Sequence, residues 1–317
     1  MNLTEINQRF GIPGSLQVVE GAGGLPAIDI TSPHGTGRVY LHGAHIASWT
    51  PTDPANAERR DVLFLSRKAK FLANTPIRGG IPVIFPWFGP PPATGPETPW
   101  STPTHPMHGL VRTRPWEIEA TRLGDGKVAF VLLFKSSAET KALWPFDFEL
   151  RMRLTFGPQL IIKMEAKNTG SVPFHFQEAL HTYFAVGDVR QTRVSGLENL
   201  DFHDQMAALQ IKHEGSDPAG PEIKQQIDRI YLKTPPRLTI NDPVGRRRIV
   251  LETQEAGNAV LWNPGTDKIL TFADMSPEEW TAMLCLESGN IRPLPAVTLA
   301  PGAIHQMRLT LGVGKIA

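Results

Sequence analysis

The segment FELRMRLTFG (148–157) alternates apolar and polar side chains with a period of two. Its apolar side chains share one face of an extended chain: Leu150, Met152, Leu154 and Phe156. Arginine and threonine occupy the positions between them, on the opposite face. This alternation is typical of a β-strand with one buried face.

Similar runs rich in apolar, β-branched and aromatic residues recur at 38–50, 127–137, 160–170 and 247–254. The 28 glycines and 29 prolines of the chain supply turn residues between them, and helical periodicity is scarce. This pattern favours an antiparallel sandwich or barrel. We interpret residues 1–317 as one large all-β domain, an antiparallel β-sandwich with few short helices.

Two segments depart from the strand pattern. In DMSPEEWTAM (274–283), Ser276 is placed to cap a short helix, Pro277 to take its first position and Glu279 to complete a capping box. Residues 89–107 are so rich in proline and threonine that we predict a loop there.

Composition limits the classes of partner. The 32 basic and 31 acidic residues of the 317-residue chain nearly cancel, which argues against a nucleic-acid-binding surface. Cys285 is the single cysteine, so neither an intramolecular disulfide nor a cysteine zinc site can form. We find neither a signal-peptide pattern nor an apolar run of about 18 residues, and therefore expect a cytoplasmic protein without membrane contact.

An arginine stands out in the apolar segment PIRGGIPVIFPWFGP (76–90). Arg78 could present its planar guanidinium to a phosphate or carboxylate, and the following glycines could let backbone approach a ligand. Alternatively, Arg78 merely caps a strand end.

The segment MHGLVRTRPWEI (107–118) places His108 and Arg112 around a glycine, after the long loop and before a strand. Binding residues concentrate in loops held by a rigid scaffold. The alternative is a surface histidine and a solvated arginine, and Arg114 is interpreted as ordinary surface charge.

In FHFQEALHTYFAVGDV (174–189), strand geometry would place His175, Gln177, His181 and Tyr183 on one polar face. Such a face suggests a concave polar site, although a buried histidine such as His181 is also compatible with a structural role.

Two carboxylates could complete this site: Asp228 in IDRIYL and Glu287 in MLCLESGN. Glu287 follows four apolar residues and is expected to point inward. A buried carboxylate is costly unless it is paired or used in chemistry, so either a salt bridge or a functional role is implied.

Cofactor motifs are missing from the sequence. His42 and His45 lie in a strand-like run and would face opposite sides, and the chain contains no HExxH, GxGxxG, Walker or GxSxG motif. We therefore expect neither a metal nor another cofactor.

At these residues the chain resembles the hexose-6-phosphate mutarotase branch of the aldose 1-epimerase superfamily. The matching motifs occur in the family's order over nearly the whole chain: RGGIPVIFPWFG, HGLVR, EALHTYFAVGDV, VSGL with DRIYL, WNPG and CLESGN. The resemblance implies a β-sandwich of the galactose-mutarotase type (a supersandwich). It also implies a cofactor-free epimerase that interconverts the anomers of a hexose 6-phosphate, with D-glucose 6-phosphate expected, in a protein expected to be a monomer.

The resemblance also implies roles for single residues. His181 matches the general acid and Glu287 the general base of the family. The other matches are to substrate-binding positions: Arg78, His108, Arg112 and Asp228. One departure is Met107, where many relatives have glutamine, so a hydrogen bond to the substrate is missing or supplied elsewhere.

As general acid, His181 would have to be cationic near neutral pH, so we expect a nearby carboxylate to raise its pKa. Three other functions remain open at this point. They are a non-catalytic carbohydrate-binding sandwich, an epimerase of unphosphorylated aldoses, and a structural sandwich domain.

Overall fold

The computed structural model describes residues 2–53, 60–95, 98–99, 101–294 and 296–316. Its strands in the first part of the chain are β1 (Leu16–Glu20), β2 (Pro26–Ser32), β3 (Gly35–Tyr40), β4 (His45–Pro51), β5 (Val83–Ile84), β6 (Glu117–Gly124), β7 (Lys127–Lys135), β8 (Phe148–Phe156), β9 (Leu160–Asn168), β10 (Phe174–Phe176) and β11 (Glu178–Leu180). Those in the second part are β12 (Tyr183–Ala185), β13 (Arg193–Ser195), β14 (Asp201–Asp204), β15 (Gln210–His213), β16 (Ile227–Leu232), β17 (Arg237–Asp242), β18 (Arg247–Gln254), β19 (Asn258–Asn263), β20 (Met283–Asn290), β21 (Val297–Leu299) and β22 (Ile304–Lys315).

Helices are few and short. They are α1 (Leu3–Phe10), α2 (Ala138–Leu143) and α3 (Gly265–Lys268), with 3-10 turns at Ala22–Gly24, Gln205–Ala207, Ile269–Thr271 and Pro277–Ala282. None of the helices in the described ranges has the length and apolarity that crossing a membrane requires.

Two eight-stranded antiparallel sheets form the sandwich. The outer sheet has the order β13-β17-β18-β22-β9-β8-β7-β6, and the site sheet has the order β15-β14-β16-β19-β20-β11-β5, with β12 also paired to β20. Strands β1–β4 form a smaller sheet, and β10 pairs with β21. The predicted antiparallel β-sandwich with few short helices is therefore confirmed.

The alternation of β8 explains why the outer sheet packs as it does. Every second residue from Phe148 to Phe156 is buried, and β9 repeats the pattern along a nine-residue antiparallel ladder. The buried faces of both strands share one hydrophobic core with Leu284 and Leu286 of the site sheet. Because one face of each strand is apolar and the other is polar, the register of this ladder is fixed.

Strand β20 is different, because residues on both of its faces are buried. Leu284 and Leu286 point into the sandwich core, whereas Met283 and Cys285 pack in a second cluster beyond the sheet. An almost continuous apolar run is expected for a strand covered on both sides.

Short-range predictions outside the strands are confirmed. Ser276 and Glu279 form the capping box of the 3-10 turn Pro277–Ala282, whose first residue is the proline. Within 89–107, no described residue belongs to a helix or strand; Pro96, Glu97 and Trp100 lie outside the described residues. The run 38–50, in contrast, is not continuous: a turn divides it into β3 and β4, and His45 begins the second strand.

A buried polar link ties the two large sheets together at one edge. Glu178 of β11 is fully buried, and its Oε1 accepts hydrogen bonds from Nε2 of His305 on β22 (2.6 Å) and from Nδ2 of Asn290 (3.0 Å). Burial opposes the charge of His305, but the hydrogen bond to Glu178 and its negative charge outweigh this effect and raise the pKa of His305.

This link predicts a pH-dependent contribution to stability. Because the pKa of His305 is raised in the folded state, its protonation stabilises the protein fully below the unfolded-state pKa of about 6.5. This stabilisation is lost as the pH rises through the folded-state pKa. His305→Ala should lower the free energy of unfolding by about 3–5 kcal/mol at about pH 6, because it leaves the buried Glu178 without its cationic partner. The loss should be smaller at about pH 9. Urea unfolding at both pH values measures it.

The matched control is His213→Ala. His213 lies 2.8 Å from Asp201 in an ion pair whose side chains are both about 60% exposed. Its removal should change stability by no more than about 1 kcal/mol, as for other exposed pairs. Equal losses in the two variants would contradict a stabilising role for the Glu178–His305 link.

Candidate active site

A pocket of about 420 Å³ lies on the face of the site sheet that points away from the sandwich core. All six residues proposed from the sequence line it: Arg78, His108, Arg112, His181, Asp228 and Glu287. Residues separated by more than 200 positions in the sequence thus meet in one concavity of the size that small-molecule ligands occupy.

Strand periodicity places the residues on the pocket floor. On β20, Glu287 lies on the same face as Cys285, opposite the core-facing Leu286. Asp228 of β16 alternates in the same way with the core residue Ile227. Because successive side chains of a strand point to opposite faces, the core leucines fix the direction of Glu287.

His181 and Glu287 form a buried pair at the floor of the pocket. Nε2 of His181 lies 3.3 Å from Oε1 of Glu287, and their side chains are only 11% and 3% exposed. Within the described part of the chain, Nδ1 of His181 and Oε2 of Glu287 have no hydrogen-bond partner. Buried polar atoms without a hydrogen-bond partner are uncommon in folded proteins, and these two belong to residues that line the pocket.

The predicted direction of the His181 pKa shift is wrong. Burial, followed by the positive neighbourhood of His108, Arg112 and Arg78, lowers the pKa of His181 well below its usual value. Burial and the charge of Asp228 raise the pKa of Glu287, although Arg112 partly opposes this shift. The sequence pattern indicated the neighbouring carboxylate but not the loss of solvent, which disfavours the charged form of both groups.

Arg78 is held on three sides. Its Nε donates to Oδ2 of Asp274 (3.2 Å), its Nη1 donates to Oη of Tyr183 (3.1 Å), and its Cζ lies 4.7 Å from the ring centroid of Phe272. Burial alone would lower the pKa of Arg78, but Tyr183 and Asp274 raise it, so the guanidinium remains charged. Among the described residues these bonds occupy Nε and Nη1, which leaves Nη2 for a ligand.

The glycines after Arg78 do not line the pocket, although the sequence suggested that their backbone could approach a ligand. Gly79 and Gly80 adopt positive φ angles of 115° and 59°. A Cβ atom on them would lie 2.4 Å from the Phe64 oxygen and 2.3 Å from the Ile46 oxygen. Their role is to let this segment pass close to neighbouring backbone, which fixes the position of Arg78.

His108 and Arg112 enter the pocket from the segment that follows the proline-rich loop. The backbone N–H of Gly89 donates to Nδ1 of His108 (3.1 Å), so the neutral ring carries its proton on Nε2. Burial and two nearby arginines lower the pKa of His108 to about 3. Arg112 donates from Nη2 to the Met107 oxygen (2.9 Å), and burial lowers its pKa to about 10, so it is still cationic at neutral pH.

Asp228 of β16 has a partner that the sequence analysis missed. Nε2 of Gln205 donates to its Oδ1 at 2.5 Å. Burial raises the pKa of Asp228 to about 6; the bond from Gln205 lowers it, and the charge of Asp204 raises it.

The polar face predicted for 174–189 is only partly correct. His181 and Tyr183 share a face, and their rings stack with centroids 4.9 Å apart. His175 is exposed on β10 and contacts Thr298, whereas Gln177 accepts a hydrogen bond from the backbone of Phe88. The strand is interrupted twice, so its period of two does not extend from His175 to His181.

Three pocket residues, Gln205, Trp262 and Phe272, and the Arg78 partner Asp274 were not assigned a role from the sequence. An aspartate before a capping box is a signal that could have been noted. Its pairing with Arg78 could not, because that pairing depends on tertiary structure. No group of three or more potential metal ligands occurs among the described residues.

Comparison with known proteins identifies the family. The sequence model of the aldose 1-epimerase family matches residues 26–312. The chain belongs to the aldose 1-epimerase family. It is 32% identical over 286 residues to a protein of Cenchrus ciliaris named "Putative glucose-6-phosphate 1-epimerase", covering 86% of this chain and 80% of that protein. An Escherichia coli protein of the same name is 32% identical, with 86% of each chain covered.

Solved structures agree with this assignment to the aldose 1-epimerase family. The crystal structure of a "putative mutarotase" from Salmonella typhimurium superposes with a TM-score of 0.83 at 28% identity, covering 98% of this chain and all of that one. A galactose mutarotase-like protein from Clostridium acetobutylicum gives 0.74 at 15% identity over 95% of this chain and 99% of that one, which shows the shared fold.

The hydrogen bond and the negative charge next to Asp228 act in opposite directions on its pKa, so removing each should shift this pKa in opposite directions. In the wild-type protein Asp228 should titrate near pH 6. Gln205→Ala should raise this pKa, because it removes a hydrogen bond to the charged form; Asp204→Asn should lower it, because it removes a like charge. Carboxyl ¹³C NMR, with the signal assigned through Asp228→Asn, measures all three. Shifts of the same sign in both variants would contradict this electrostatic assignment.

Proposed function

We propose that this epimerase interconverts the α and β anomers of hexose 6-phosphates, with D-glucose 6-phosphate as its substrate. The observation that carries the proposal is the buried His181–Glu287 pair, 3.3 Å apart, in a pocket that also holds Arg78 and Arg112. The pair supports anomer exchange, and the two arginines support a phosphorylated sugar.

Anomer exchange requires an acid and a base that lie close together. The base removes the proton of the C1 hydroxyl while the acid protonates the ring oxygen, and both oxygens are bonded to C1. The C1–O5 bond breaks, the aldehyde rotates about the C1–C2 bond, and closure on the other face reverses both proton transfers. We assign the unpartnered Oε2 of Glu287 as the acceptor and Nε2 of His181 as the donor.

The arginines supply local positive charge in a nearly neutral protein. Arg78 is oriented by Asp274 and Tyr183, and Arg112 by the Met107 carbonyl. Charge-assisted, planar donors of this kind match the oxygens of a phosphate dianion. The names of the curated relatives support the same substrate.

The rest of the pocket suits a sugar ring. Asp228 offers a carboxylate and His108 an Nε2–H donor to sugar hydroxyls. Phe88, Trp262 and Phe272 supply apolar surface on the pocket walls, as in many small-molecule sites.

The activity is tested by NMR saturation transfer between the anomers of glucose 6-phosphate, with free glucose and galactose run in parallel. We expect acceleration for the phosphate ester. Faster anomer exchange of the free sugars alone would indicate an epimerase of unphosphorylated aldoses. Sugar binding without faster exchange would indicate a non-catalytic carbohydrate-binding sandwich.

Replacing the proposed acid or base should abolish most of the activity. His181→Asn and Glu287→Gln should each reduce kcat for glucose 6-phosphate by about 10²–10⁴-fold, the usual contribution of one positioned acid–base group. His175→Asn is the matched control, because His175 lies on β10, outside the site sheet, and contacts Thr298 outside the pocket. Full activity of His181→Asn would refute the assignment.

Replacing the proposed phosphate ligand should change specificity. Arg78→Ala should reduce the ratio of kcat/KM for glucose 6-phosphate to that for glucose by at least about tenfold, since one hydrogen bond to a charged group contributes about 1.5–3 kcal/mol. Initial-rate measurements with both sugars give the ratio. An unchanged ratio would show that the phosphate binds elsewhere.

A further inference from the structure

The surroundings of the His181–Glu287 pair are electrically polarised. Positive groups gather around His181. Arg78 is linked to it through Tyr183, whose hydroxyl accepts a hydrogen bond from Arg78 and whose ring stacks on His181. Arg112 lines the same pocket, and its charge also lowers the pKa of His181. Negative charge adjoins the other member of the pair, since Asp228 lies on the side of Glu287.

This polarity decides where a proton of the pair resides. Two forms contain the same number of protons: a neutral imidazole with a protonated carboxyl group, or an imidazolium with a carboxylate. Burial disfavours the ionic form, and so do cations beside the histidine and an anion beside the glutamate. In agreement, the pKa of His181 is lowered and that of Glu287 is raised, each mainly by burial.

In the free protein this arrangement favours the neutral form of the pair, which is the wrong form for catalysis. A protonated Glu287 cannot remove the proton of the C1 hydroxyl, and a neutral His181 is a poor donor to the ring oxygen. The two groups are adjacent, but neither is ready for its proposed role.

The substrate carries the charge that can reverse this polarity. In a hexose 6-phosphate only C5 and C6 separate the ring oxygen from the phosphate ester oxygen. When the ring oxygen lies at Nε2 of His181, the phosphate is held on the same side of the sugar. There it can pair with Arg78 and Arg112, and its two negative charges offset their two positive ones.

We propose that the phosphate group of the substrate activates the catalytic pair. It offsets the positive charge around His181, so that a proton passes from the carboxyl group of Glu287 to Nε2 of His181. The O–H bond of Glu287 breaks and the N–H bond of His181 forms, and no proton is exchanged with solvent. One transfer produces both the base and the acid. This inference rests on the proposed function and adds a role for the phosphate beyond binding.

The role has a kinetic consequence. An unphosphorylated sugar can occupy the pocket but leaves the pair in its neutral form, so part of the phosphate interaction is expressed in kcat and not only in KM. A neighbouring charge shifts a pKa by about 1–3 units, so the phosphate should increase turnover by at least about tenfold.

Histidine NMR tests the proton position directly. The full-length protein is labelled with ¹⁵N-histidine, and the His181 signals are assigned from His181→Asn. At pH 7, His181 should be neutral in the free protein and cationic when 1-deoxyglucose 6-phosphate, which cannot open its ring, saturates the pocket. A neutral His181 in the complex, or a cationic one in the free protein, would overturn the inference.

A kinetic experiment tests the same inference with the phosphate separated from the sugar. D-xylose lacks C6 and its phosphate, so phosphite dianion, at concentrations that inhibit glucose 6-phosphate exchange, should accelerate protein-catalysed xylose anomerisation by at least about tenfold over the rate with the protein but without phosphite. Arg114→Ala is the matched control, since Arg114 pairs with Glu139 outside the pocket, and should keep this activation. Arg78→Ala should lose it.

The outcomes separate the inference from the function on which it rests. If the protein exchanges the anomers of glucose 6-phosphate but the protonation of His181 does not change and phosphite does not activate, the epimerase function stands and the activating role of the phosphate is overturned. Absence of glucose 6-phosphate exchange would overturn the proposed function itself.

Discussion

The covering of β20 on both faces is the constraint on which the site depends. Leu284 and Leu286 commit one face to the sandwich core, and the capped turn Pro277–Ala282 helps to cover the other. A carboxylate on such a strand is almost completely shielded from bulk water, and a neighbouring polar group is needed to offset the cost of burying it. The position of Glu287, its contact with His181 and the raised pKa of its carboxyl group all follow from this packing.

Much of the fold could be predicted because its signals are local. The alternation at 148–157, the capping box at Ser276 and Glu279, and the proline-rich loop each depend on neighbouring residues, and the structure contains all three. The inward direction of Glu287 also followed from the apolar residues before it. Motif resemblance brought the six candidate residues together, and they do line one pocket.

The remainder depends on tertiary contacts that a single sequence does not encode locally. Asp274 meets Arg78 across 196 positions, and Gln205 reaches Asp228 from a neighbouring hairpin. The prediction that His175 and His181 share a face was wrong, because breaks in the strand interrupt its period of two. The direction of the His181 pKa shift was predicted wrongly because burial and the nearby arginines, which depend on the completed fold, both lower this pKa.

The contact of Arg78 with Tyr183 has a consequence for protein engineering. Under the proposed roles of Arg78 in phosphate binding and of His181 in proton transfer, a tyrosine that accepts a hydrogen bond from the arginine and stacks on His181 couples substrate preference to turnover in one packed unit. Deleting the guanidinium to admit uncharged sugars would also release the tyrosine ring that supports the histidine. A redesigned enzyme would need a neutral donor, such as an amide, to keep that ring in place, so altered specificity calls for replacing several side chains together.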